Sequence, residues 1–229
     1  MSMTEQAMPQ ERASLIVVTR FDGERVTQEA KPEPKKHKPR KLPKALSPEQ
    51  TEQFFGSMRT KCATAKRNMA MFQTMLRAGL RVSEVCDLSV PNVDLEMGVI
   101  HVQNGKGGVD RNLPIGSCLM EWLVQWSKIR PQNSPYFFCA IKGTRIMPRY
   151  INQVLERLSN ESGVYIQDGL KQGPVHAHCL RHTFATNMLR KGLNLPQIQK
   201  LMGHSSIQIT QIYLMVTDEE LDAAVKALG

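Results

Sequence analysis

The chain has 229 residues, 41% of them hydrophobic, and carries 30 lysines and arginines against 21 acidic residues, a formal charge of +9 at pH 7. That length suits one large domain or one domain with an extension, and the excess of positive charge favours a polyanionic partner, nucleic acid ahead of a membrane surface. No apolar run of bilayer length and no basic-then-apolar leader occur, so a cytoplasmic protein is expected; five scattered cysteines without CxxC spacing argue against a disulfide framework or a cysteine zinc site.

The first 45 residues differ from the remainder. "ASLIVVTRFDGERVTQEA" offers two short β-rich arms around an Asp22-Gly23 turn signal, the pattern of a hairpin. It is followed by "KPEPKKHKPRKLPK", where four prolines interrupt regular structure and Lys31, Lys35, Lys36, Lys38, Arg40, Lys41 and Lys44 face only Glu33. This is an N-terminal extension, residues 1–45, ending in a solvated linker or a basic arm along a nucleic-acid backbone.

Regular structure is predicted from "SPEQ", with Ser47 as cap, Pro48 at the first helical position and Gln50 completing a capping box. In "CATAKRNMAMFQTMLRAG" the residues Met69, Phe72, Met75 and Leu76 share one helical face, and Gly79 is suited to end the helix. "GVIHVQNGKGGVDRNLPI" reads as two short strands around a glycine-rich turn with Lys106 at its tip. Helices follow through Leu119, Trp122, Leu123 and Trp126, then through Ile151, Val154, Leu155 and Leu158, then from Thr183 to Lys191. Asn194 and Gln197 form a cap-like pair before "IQKLMG", and "DEELDAAVKALG" carries an apolar stripe of Leu221, Ala224, Val225 and Leu228. Residues 46–229 are therefore expected to form a mainly α domain with a small antiparallel β-sheet, an α+β fold.

The stretch with the most chemistry is "VHAHCLRHTFATNMLRKG", which places His176, His178, Cys179, Arg181 and His182 within seven residues. His178 and His182 have the i, i+4 spacing of two metal ligands on a helix, but Cys179 stands where a zinc protease needs its glutamate. From Gly169 to Thr217 there is no Asp or Glu, so hard divalent cations lack oxygen ligands, whereas the basic residues there suit phosphate. No metal and no cofactor is expected. Downstream, "LMGHSSIQITQIYLMV" ends a helix at Gly203, sets His204 in the connection and brings Tyr213 into view.

Taken in order, these segments resemble the tyrosine recombinases, the family of phage and transposon integrases and chromosome-dimer resolvases. "AGLRVSEVCDL" resembles the box of the first arginine, giving Arg81; "GKGGVDRNLPI" resembles the lysine hairpin, giving Lys106. "HCLRH" resembles the HxxR box, giving His178 and Arg181, and "LMGHSSIQITQIY" the closing box, giving His204 and Tyr213. The resemblance runs from about residue 42 to the C-terminus and fills all six positions. Val109 departs from it, standing where many relatives have a second lysine, although Arg111 is kept. Larger relatives also carry a separate helical core-binding domain, for which 45 residues do not suffice; a short family form or a fragment would each account for this.

The resemblance implies the tyrosine recombinase catalytic-domain (DNA breaking-rejoining) fold and a site-specific DNA recombinase acting through a covalent 3′-phosphotyrosine. Tyr213 would be the nucleophile, His178 its base, Lys106 the acid for the leaving 5′ oxygen, and Arg81, Arg181 and His204 the grip on the nonbridging oxygens. It further implies double-stranded DNA as partner, a homo-tetramer on two DNA sites with the helix at Asp218 to Leu228 docked on a neighbour or on its own domain, no membrane and no small-molecule substrate. Glu84 is a candidate to orient Arg81, His182 reads as packing, and His176 and Lys171 as basic surface. Two rivals stand beside this reading: a DNA-binding accessory protein that keeps the fold without turnover, and a topoisomerase that relaxes DNA without pairing sites.

Overall fold

A computed structural model describes residues 15–19, 25–29, 45–103, 110–168 and 171–203. The chain divides into two units, Met1–Arg40 and Lys41–Gly229. In the first, β1 (Leu15–Thr19) and β2 (Arg25–Glu29) pair antiparallel with Val17 opposite Thr27, the hairpin expected of those two arms. The Asp22-Gly23 turn, the basic arm and the helix expected near Asp218 lie outside the described residues.

The second unit begins with α1 (Pro48–Gly56), whose Ser47 side chain accepts from the Gln50 amide while the Gln50 side chain accepts from the Ser47 amide. The reciprocal cap satisfies two of the N–H groups that a helix start leaves without partners. α2 (Ala63–Ala78) ends at Gly79 in the left-handed conformation, φ 67°. The expected stripe of Met69, Phe72, Met75 and Leu76 is buried, but so is nearly every residue from Arg67 to Ala78. α2 is thus the central helix, with α3 (Val82–Asp87), α4 (Ser117–Ser127) and α6 (Ala177–Arg190) packed around it. Within it, buried Arg67 lies over the Tyr150 ring, 5.2 Å from its centroid, and donates to the Tyr150 hydroxyl, Asn68 and the Cys139 carbonyl.

A three-stranded antiparallel sheet follows α3 in the order β3 (Val93–Asp94), β4 (Val99–Val102), β5 (Arg111–Pro114). Its register pairs Ile100 with Leu113 and Val102 with Arg111, so Leu113 and Arg111 are buried on one face while Asn112 and Pro114 face outward. α4 then buries Leu119, Leu123 and Trp126 and leaves Trp122 half-buried; the Trp126 indole N–H donates to the Phe137 carbonyl at 2.8 Å. α5 (Pro148–Ser162) buries Ile151, Leu155 and Leu158. A second hairpin, β6 (Tyr165–Asp168) with β7 (Lys171–Pro174), leads into α6.

α6 begins at Ala177, six residues before the predicted start at Thr183. Its N-cap, His176, makes no side-chain cap hydrogen bond; instead the Asn152 side chain, on α5, accepts from the Ala177 amide. That long-range cap leaves no mark in the local sequence, which explains the late prediction. α7 (Leu195–Met202) starts with the predicted Asn194–Gln197 capping box and ends at Gly203, φ 62°. Most apolar side chains form one core around Met71, Phe72, Met75, Leu80, Trp126 and Phe138, whereas Phe184, Ala185, Ile198 and Met202 form a separate small cluster between α6 and α7. Cys86, Cys139 and Cys179 are buried, Cys62 and Cys118 exposed. Among the described residues no helix is long and apolar enough to cross a membrane.

Candidate active site

Arg81 lies two residues past the left-handed turn at Gly79 and immediately precedes α3, so its guanidinium and its backbone amide point toward the same acid, Glu84, one helical turn on. The Glu84 carboxylate accepts from both, each at 2.7 Å. Arg111 reaches the same carboxylate from β5 with a fork of 3.1 and 2.7 Å, and Arg181 Nη1 lies 3.8 Å away. Burial alone would raise the Glu84 carboxyl; the Arg111 fork, the Arg81 amide and the Arg81 guanidinium outweigh it and hold the group below the usual carboxylate value.

The same three arginines close the end of α7. Arg111 Nε donates to the Leu201 carbonyl at 2.7 Å, Arg181 Nη2 to Met202 at 2.6 Å and Arg81 Nη2 to Gly203 at 2.9 Å. A helix ends with carbonyls that have no partner in the helix and with a partial negative charge, so three guanidinium groups are well matched there. Arg181 also donates to the Gly79 carbonyl, which ties the turn before Arg81 to α6. Gly79 is confined twice over, since a Cβ at that left-handed position would run into the Phe184 ring.

The exposures differ. The Arg81 side chain is 35% exposed, those of Arg111 and Arg181 only 4% and 5%. His178 is exposed on α6, three residues and so nearly one turn before Arg181, with its ring centroid 6.0 Å from that of His182 and 6.4 Å from that of His176. His182 is largely enclosed; burial first, then the neighbouring His178, His176 and Arg181 charges, push its imidazole down to about 4 and keep it neutral at pH 7.

Of the six sequence-derived positions, the structure brings Arg81 and Arg181 together and sets His178 on the helix that carries Arg181. Lys106 falls between β4 and β5, His204 directly follows Gly203, and these two with Tyr213 lie outside the described residues. Sequence reasoning anticipated the Glu84–Arg81 contact. It missed that Arg111 commits its fork to Glu84, a contact between residues 27 positions apart. The two-residue alternation that puts Arg111 in phase with inward-facing Leu113 was the available signal.

The domain is thus mostly helical and gathers three arginines around one acid and one helix terminus. The chain belongs to the phage integrase family, whose model matches residues 44–220. It is similar to the tyrosine recombinase XerA of Thermococcus onnurineus, 34% identical over 189 residues that cover 81% of this chain and 63% of the relative. It is also similar to the tyrosine recombinase XerD of Xanthomonas axonopodis pv. citri, 36% identical over 195 residues, 81% of this chain and 62% of the relative. The crystal structure of XerA recombinase superposes with a TM-score of 0.68 at 28% identity, over 82% of this chain and 66% of that one. XerH site-specific recombinase bound to a palindromic difH substrate, a post-cleavage complex, gives 0.67 at 27%, over 81% and 53%. The fold is that of a tyrosine recombinase catalytic domain, and the chain spans less than two thirds of the length of the relatives it matches.

Proposed function

We propose that residues 46–229 are the catalytic domain of a site-specific DNA recombinase that cuts and rejoins double-stranded DNA, serving integration or excision of a mobile element. The observation that carries this reading is the convergence of Arg81 and Arg181, 100 positions apart in sequence, on Glu84 and on the carbonyls of Met202 and Gly203, next to His204 in the chain. The membership of the phage integrase family supports it.

In this reaction the Tyr213 hydroxyl attacks the scissile phosphorus, a new Tyr–O–P bond forms and the bond to the 5′ oxygen breaks, so one phosphodiester replaces another and no ATP is consumed. A phenol of pKa about 10 needs a base at neutral pH, and the departing alkoxide needs an acid. His178 and Lys106 take these roles. Arg81, Arg181 and His204 meet the charge that grows on the nonbridging oxygens; such preorganised donors contribute about 3–4 kcal/mol each. Arg81 is suited to this task, because two of its five N–H donors are fixed on Glu84 and Gly203 and its side chain is a third exposed. No step calls for a metal or a cofactor. Four strand cuts on two duplexes require four copies, a homo-tetramer on DNA.

Incubating the protein with a nicked duplex that traps the cleaved strand, then resolving the products on a denaturing gel, tests the reading. A covalent protein–DNA adduct is expected with the wild-type chain and none with Tyr213→Phe. Binding without any adduct would instead favour an accessory protein, and relaxation of supercoils without joined recombinants a topoisomerase.

A further inference from the structure

Arg111 occupies an inward-facing strand position, between Leu113 on its own strand and Val102 opposite, where an aliphatic side chain would be the ordinary choice. A guanidinium is retained in such a place only if its donors are used, and those of Arg111 are: two on Glu84, one on Leu201. What these partners have in common is Arg81. Glu84 Oε1 receives both Arg81 Nη1 and Arg111 Nη1, and Glu84 Oε2 receives both the Arg81 amide and Arg111 Nη2. The second anchor of Arg81, the Gly203 carbonyl, belongs to the residue against which Arg111 lies so closely that a Cβ there would stand 2.8 Å from Arg111 Nη1. Arg111 therefore bonds to one of the groups that hold Arg81 and lies against the residue that carries the other.

An ion pair between Arg81 and Glu84 alone, three residues apart and with the Arg81 side chain a third exposed, would orient weakly. A planar two-point fork from a side chain only 4% exposed fixes the carboxylate plane. We propose that Arg111 is a positioning residue of the phosphate clamp: it acts through Glu84 and Gly203 on the direction of the Arg81 guanidinium and does not itself touch DNA. This inference rests on the clamp reading given above.

The test uses the full chain and three nicked substrates, one with the natural scissile phosphodiester, one with a neutral methylphosphonate in its place and one with a 5′-bridging sulfur. The methylphosphonate removes the charge that the clamp answers, and the sulfur leaves without needing an acid. Arg111→Met is expected to lower the cleavage rate on the natural substrate by about 10- to 100-fold, by analogy with residues that orient the ligands of a metal site. Most of that deficit should vanish on the methylphosphonate and persist on the sulfur substrate, and Arg111→Lys, which keeps charge but loses the fork, should show the same pattern more mildly. Arg81→Ala is the control. If its deficit is not relieved by the methylphosphonate, the clamp reading itself fails and this inference with it. If Arg81→Ala is relieved and both Arg111 variants are not, Arg111 does not act on the clamp. Relief by sulfur instead would assign it to the leaving-group side and overturn the proposal. So would variants that lose cooperative melting, because Arg111 would then be a residue of the fold.

Discussion

The folded chain keeps Glu84 charged and His182 uncharged, by different means. Glu84 is buried yet surrounded by donors, so its carboxyl loses its proton more readily than usual. His182 is enclosed among other cationic or titratable groups, so its imidazole refuses a proton down to about 4, from an ordinary value of 6.5. The consequence for stability follows from linkage. Between those two values the unfolded chain binds a proton at His182 that the folded chain does not. The stabilising contribution of a neutral His182 is thus complete above about pH 6.5 and declines as the pH falls toward 4. A tenfold change in proton affinity corresponds to about 1.4 kcal/mol, so the acid limb should lose a few kcal/mol at this residue. Urea melts at pH 7.5 and pH 5 should show a smaller difference for His182→Gln than for the wild type; equal differences would mean that His182 titrates normally in the fold.

At the scale of elements, what was legible in sequence was local. Ser47 with Gln50, and Asn194 with Gln197, lie three residues apart and make the caps that their spacing predicts. Gly79 and Gly203 end their helices as expected because the left-handed turn demands it. What was not legible depends on partners far along the chain. The start of α6 is capped from α5, the β6–β7 hairpin is secured by Ser159, whose hydroxyl donates to the Val164 carbonyl and accepts from the Val175 amide, and Arg111 meets Leu201 across 90 positions. The same holds for the site: the spacing of Arg81 and Glu84 announced their contact, while the Arg111 guanidinium on that acid became visible only where β5 meets α3. Gly79 joins both levels. Gly79→Ala imposes left-handed strain and pushes a methyl group into Phe184, and is expected to destabilise the protein by about 2–4 kcal/mol. Chemical denaturation measures it, and a loss below about 1 kcal/mol, within the range of a mere conformational effect, would mean that α6 moves aside freely.

Across the whole molecule, the apolar interior is divided. The larger core surrounds α2, whereas Ile198 and Met202 of α7 rest on Phe184 and Ala185 in a second cluster, and half-buried Leu201 bridges the two. Beyond that cluster, the end of α7 is held by the three guanidinium groups. A helix secured by a few apolar contacts and by polar bonds at one end opens with a smaller free energy than one enclosed on all sides. Amide protons of α7 should accordingly exchange with solvent deuterons well before those of α2. Equal protection of the two helices would show one cooperative unit. Because α7 meets the larger core only through half-buried Leu201, the scaffold has a built-in division of labour: a rearrangement of the backbone just ahead of His204 would leave the hydrophobic centre of gravity of the domain intact.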